Sequence, residues 1–119
     1  MNARMHLSPA HGAQPRQAGA EHYSGGAQIL GLLADRTRLA VLHTLTEGEA
    51  DVSTLTARVG AARPAVSQHL AKLRIAGLVS TRKEGRRVVY ALADGHLRRL
   101  VDEVLNLADH RLSGAPPHA

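Results

Sequence analysis

Gly60-Ala-Ala-Arg-Pro-Ala-Val-Ser-Gln-His-Leu-Ala-Lys-Leu-Arg-Ile-Ala-Gly-Leu-Val-Ser80 has the pattern of a short helix that leaves a tight turn and runs directly into a strand. Pro64 falls in the first helical turn, where a preset φ helps and the missing N–H is not needed. Val66, Leu70 and Leu73 recur at helical spacing and are expected to bury one face, with Gly77 as the C-terminal stop. The opposite face carries Arg63, Ser67, Gln68, Lys72 and Arg74, polar or cationic groups suited to base edges and phosphates. Any amphipathic surface helix has a polar face, so the flanking segments have to decide the reading.

Upstream, Asp35 is placed to cap a helix from about Arg36 to Glu47, with Leu39, Leu42 and Leu45 at apolar spacing and Gly48 ending it. Ser53 is then expected to cap a short helix carrying Leu55 and Val59, closed by Gly60. Two short helices and a glycine-containing turn before a third form the helix-turn-helix pattern. Downstream, Leu78–Arg82 and Arg87–Leu92 are β-prone, with Glu84-Gly85 at the reversal, so the pair reads as a hairpin. Its tip sets Arg82, Lys83, Arg86 and Arg87 against a single acid, Glu84. Edge strands carry such cations merely to stay soluble. Here they extend the positive face of the preceding helix, and one surface then tracks a phosphate backbone on both sides of a groove. The fold expected is a winged helix-turn-helix, mainly α with a small β-hairpin.

The chain has 119 residues, 44% of them hydrophobic, enough for one modest domain. Phe and Trp are absent, so Leu, Val, Ile and Ala must build the core. Such a core is thin and invites a homodimer through a shared apolar face. Fifteen Lys and Arg against ten Asp and Glu give a formal charge of +5, which favours an acidic partner such as duplex DNA. There is no cysteine, which removes disulfides and thiolate metal sites. No stretch approaches the roughly 20 apolar residues of a membrane span, and no charged-then-apolar leader opens the chain, so the cytoplasm is the expected location. Residues 1–20 read as a disordered arm, 21–112 as the folded domain and 113–119 as a flexible tail.

Over roughly residues 27–112 the sequence resembles the ArsR/SmtB family of dimeric, metal-responsive bacterial transcription regulators. The resemblance rests on Leu33-Ala-Asp-Arg-Thr-Arg-Leu-Ala-Val-Leu42, on Ala65-Val-Ser-Gln-His-Leu-Ala-Lys-Leu73, and on Gly77-Leu-Val before Gly85-Arg-Arg-Val-Val-Tyr90. It implies an α1-α2-α3-αR-β-β-α5 subunit, dimerisation through the first and last helices, and operator binding switched by a ligand. Where thiol-based members carry cysteines, Glu49–Leu55 has none, so soft thiophilic ions are poor candidates.

Asp94 to His110 reads as the last helix, with Asp94 as its cap and Leu97, Leu100, Val101, Val104 and Ala108 as its apolar stripe. His96 and His110 are fourteen residues apart, which places them roughly 40° apart around the axis and roughly 21 Å apart along it. One helix therefore cannot bring both to one ion, whereas an antiparallel pair across a two-fold would do so twice. The resemblance implies a zinc pattern that Asp94, His96 and His110 follow in part, but Leu107 stands at the third ligand position. The nickel- and cobalt-sensing branch is the better match, with His96, Asp109, His110 and His118 as implied ligands. Ni(II) is then the expected metal, with Co(II) or Zn(II) as alternatives. His22 is a further candidate near the first helix, and His6 and His11 lie in the arm. Without a metal, Asp94 is only a cap and His110 a cation favoured by a helix C-terminus.

His43 reads as structural and His69 as a packing or hydrogen-bonding residue. An enzyme is disfavoured, because Ser67 and His69 lie on different helix faces and no residue orients that histidine as a base. The rival regulator is one of the same family that senses no metal and answers to a small molecule or partner protein.

Overall fold

A computed structural model describes residues 17–114. Its elements are α1 (Ala20–Leu33), α2 (Arg36–Thr46), β1 (Ala50–Asp51), α3 (Val52–Val59), α4 (Arg63–Ile75), β2 (Val79–Glu84), β3 (Arg87–Leu92) and α5 (Gly95–Leu112). The chain forms two units, residues 1–30 with most of α1, and residues 31–119 with everything else. Residues 17–19 precede α1 without regular structure. Among the described residues, no helix is long and apolar enough to cross a membrane.

The second unit is a mainly α winged helix-turn-helix. Asp35 caps α2 as expected, its carboxylate accepting the Arg38 N–H at 2.9 Å. The cap of α3 differs from the expectation. Asp51 holds that position, accepting the Thr54 N–H at 2.9 Å, and Ser53 sits inside the first turn. Both residues are good caps, but the strand ending at Asp51 fixes where the helix can begin. Gly60 closes α3 in the left-handed region at φ 68°, and the turn to α4 follows. At the far end of α4, Gly77 takes φ 78°. The Leu78 N–H then reaches Leu73 O at 2.9 Å, and the Gly77 N–H reaches Arg74 O at 3.0 Å. That pair of bonds is a Schellman motif, and it turns α4 straight into β2.

The hairpin pairs Glu84 with Arg87, so the reversal itself is Gly85-Arg86, with Gly85 at φ 64°. A third strand joins it. β1 pairs antiparallel with β3, Ala50 opposite Tyr90 and Asp51 opposite Val89, giving the order β1-β3-β2. The wing is thereby anchored to the start of α3.

Val41, Leu42, Leu45, Leu55, Val66, Leu70, Leu73 and Val101 are almost wholly buried, drawn from α2, α3, α4 and α5. Isoleucine does not join them: Ile75 is 89% exposed. Two residues past Leu73 is about 200° around the axis, so Ile75 points away from the buried row. The apolar stripe of α5 holds at Leu97, Leu100, Val101 and Val104, but Ala108 is exposed. The last turns overhang the core, leaving Leu107 and Leu112 in solvent. His43 is exposed on the outer side of α2 and has no packing role there.

Candidate nucleic-acid interface

Three buried side chains on one row, Val66, Leu70 and Leu73, fix the rotation of α4 about its own axis. The rest of its surface then faces outward by construction. Arg63, Pro64, Ser67, Gln68, Lys72 and Arg74 are all exposed. Arg63 is steadied from the neighbouring helix, its Nη1 donating to Ser53 Oγ at 2.8 Å.

The wing is less cationic than its own sequence suggests. Arg82 grips Glu49 with two bonds, Nη2 to Oε1 at 2.7 Å and Nε to Oε2 at 3.2 Å, and also contacts Glu84 at 3.2 Å. Arg87 donates through Nε to Asp51 at 3.0 Å and through Nη1 to Glu84. Four cations therefore face three carboxylates, not one, because β1 brings Glu49 and Asp51 from far back in the chain. Two of them, Glu49 and Asp51, are held in the ionised form. Arg82 lowers the Glu49 pKa, and Asp51 is held at about 2 by the Thr54 N–H first, then by the Thr54 hydroxyl and Arg87. Lys83 and Arg86 have no ion-pair partner among the described residues.

Residues 35–81 match the family model for the bacterial regulatory proteins of the arsR family. The chain is 44% identical over 91 residues to the transcriptional regulator KmtR of Mycobacterium tuberculosis, covering 76% of this chain and 70% of that protein. The chain belongs to the arsR family. It is also 45% identical over 75 residues to CmtR of Mycobacterium bovis, matching 63% of this chain and 64%, less than two thirds, of that protein's length. The solution structure of the homodimeric winged helix-turn-helix DNA-binding domain of Mycobacterium bovis Mb0332 superposes with a TM-score of 0.72 at 31% identity, covering 84% of this chain and 93% of that one. As an arsR-family member the protein is a DNA-binding winged helix-turn-helix regulator and not an enzyme.

The matched arsR segment contains a polar joint that the sequence hinted at only through His69. Arg38 donates Nε to Leu32 O at 2.7 Å and reaches His69 Nδ1 with Nη1 at 3.4 Å, while His69 Nε2 lies 3.6 Å from Asp35. The half-buried imidazole thus joins α4 to the α1–α2 corner. The Arg38 N–H, with His69 and the Arg38 charge adding to it, lowers the Asp35 pKa.

The metal-ligand candidates of this arsR-family chain that lie among the described residues are not brought together within one subunit. Among the described residues no three His, Cys, Asp or Glu side chains converge. Asp94 caps α5 through the Leu97 N–H at 2.9 Å, and His96 Nδ1 lies 2.9 Å from Arg99 Nη2. A guanidinium at that nitrogen opposes a metal cation there. His110 and Asp109 stand at the other end of the same helix. His22 accepts the Gly19 N–H at 3.0 Å at the start of α1. His6, His11 and His118 lie outside the described residues.

Proposed function

We propose that the protein works as a homodimer that binds operator DNA with α4 in the major groove and the wing on the adjoining backbone. Arg63, Pro64, Ser67, Gln68, Lys72 and Arg74 form the contact face of α4, with Ser67 and Gln68 reading bases. Lys83 and Arg86 serve the wing directly, while Arg82 and Arg87 reach phosphate only by sharing their carboxylate partners. The observation that carries this reading is the rotation of α4, which buries its apolar row and presents Arg63, Ser67, Gln68, Lys72 and Arg74. Leu107, 56% exposed, and Leu112, 87% exposed, support dimerisation, since they leave the end of α5 with apolar surface for a second copy to cover.

The signal is a small molecule or partner protein, and not a metal held inside one chain. Asp94 and His96 already have partners within α5, and His110 lies fourteen residues beyond His96, so the ligand set does not fit a single-subunit ion. A second reading keeps a metal, Ni(II) or else Co(II) or Zn(II), shared between two chains. It is favoured by the placement of His96 and His110 at opposite ends of one helix whose outer end is uncovered. The ligands would be His96, Asp94 or Asp109, and His110, completed by His118.

One experiment separates the two readings. Purified dimer is titrated with Ni(II), Co(II) and Zn(II) while operator affinity is followed. Unchanged affinity supports the first. A metal-driven change that His96→Ala and His110→Ala each abolish establishes the second.

A further inference from the structure

The cleft bounded by the start of α3, the first residue of α4 and β3 with the wing turn holds donors that the contact face of α4 leaves unused. A cavity of about 340 Å³ opens there, lined by Asp51, Ser53, Arg63, Arg86, Arg87 and Tyr90. Three guanidinium groups face one carboxylate, so the cleft is cationic even with Asp51 ionised. Arg87 is occupied with Asp51 and Arg63 with Ser53, which holds both arginines at the wall. Arg86, at the turn of the wing, has no ion-pair partner among the described residues. The Ser53 hydroxyl accepts from Arg63 and keeps its own O–H to donate, and Tyr90 offers a second neutral O–H.

We propose that this cleft seats one backbone phosphate of duplex DNA, with Ser53 and Tyr90 as phosphate ligands beside Arg63 and Arg86. The inference rests on the DNA-binding reading above and adds a defined anion site to it. A duplex read by α4 in its major groove and flanked by the wing at the next minor groove must pass one sugar–phosphate strand between those elements. The cavity lies in that gap. It is larger than a single phosphate group, which suits a phosphodiester continuing at both ends, and its planar guanidinium groups match phosphate oxygens in pairs. The sequence marks Ser53 only as a cap and does not link it to Tyr90, because they belong to α3 and β3 and are brought near each other only by the pairing of β1 with β3.

The test uses a duplex that the wild-type protein selects from a random-sequence pool. Single phosphates along each strand are replaced by neutral methylphosphonates, and affinity is measured for wild type, Ser53→Ala, Tyr90→Phe and Arg86→Gln. Wild type should lose roughly three- to tenfold at one phosphate per half-site, in the range of one ordinary net hydrogen bond. The Ser53→Ala and Arg86→Gln proteins should bind the unmodified duplex more weakly by a similar factor. They should then lose little more at that phosphate, while keeping the full penalty elsewhere. Circular dichroism confirms that these exposed substitutions leave the fold intact. Penalties that add at every position overturn the site, as does indistinguishable binding by wild type and variants. Inorganic phosphate that shifts the Ser53 and Arg86 resonances without weakening duplex binding overturns it too. A wild type that selects no duplex overturns the DNA-binding reading itself, and the site with it.

Discussion

Arg38 Nη1 lies 3.4 Å from His69 Nδ1, so a side chain from α2 holds a side chain of the recognition helix from behind. The same guanidinium is bonded to Leu32 O at the end of α1, and the rear of α4 is tied to the α1–α2 corner. The imidazole points away from the exposed row of Gln68 and Lys72, so its effect on DNA runs through the position of α4.

His69→Ala should weaken operator binding by about 1 kcal/mol, roughly fivefold, the usual worth of one such bond. His69→Gln, which can still accept from Arg38, should recover most of that loss. Fluorescence anisotropy on both variants, with thermal melts alongside, checks it. Equal affinities for the alanine and glutamine proteins would remove the joint from the account.

Leu70 is fully buried and Gln68 fully outside, two positions apart on one helix. Leu70→Ala should cost about 2–5 kcal/mol of folding stability, the range for deleting a core leucine. Gln68→Ala should stay within about 0.5 kcal/mol of wild type, as surface substitutions do. Urea melts of the two variants should separate them clearly.

Asp51 carries the acid dependence of the α3 cap. Its pKa is lowered to about 2 by the Thr54 N–H, the Thr54 hydroxyl and Arg87. A carboxylate with a depressed pKa contributes fully above its unfolded value and loses that contribution as pH falls through the folded one. The melting difference between wild type and Asp51→Ala should therefore be steady from neutral pH to about 4 and close as pH nears 2. A difference that closes on the alkaline side would contradict the cap's role.

The wing predicts a division among four neighbouring cations. Lys83→Ala and Arg86→Ala should each flatten the salt dependence of DNA binding by close to one unit of the log–log slope per lost phosphate contact in each protomer. Arg82→Ala should change that slope less, because Glu49 and Glu84 already neutralise Arg82. Titrating salt against affinity for the three variants distinguishes them.

The helices and the hairpin were legible because each has its own signals. Asp35, Pro64, Gly60 and Gly77 mark ends, and the 66-70-73 row marks a buried face at helical period. β1 was not legible. Two residues show no periodicity, and their pairing with Tyr90 and Val89 is set by the tertiary fold. That one omission moved the α3 cap to Ser53, hid two of the carboxylates at the wing and concealed Ser53 and Tyr90 as neighbours of Arg63. On α5 the caps and the inner stripe were readable, but Ala108 was drawn into the stripe by period alone. Periodicity tells which face turns inward and not where the core beneath it ends.

Base reading by the exposed row of α4 is the proposal on which the others depend. It is tested by comparing Gln68→Ala with wild type on the selected duplex and on random duplex at one salt concentration. A loss of about 1–3 kcal/mol is expected on the selected duplex and much less on random DNA, as removal of a base contact should give. Equal losses on the two duplexes, or none on either, would contradict it.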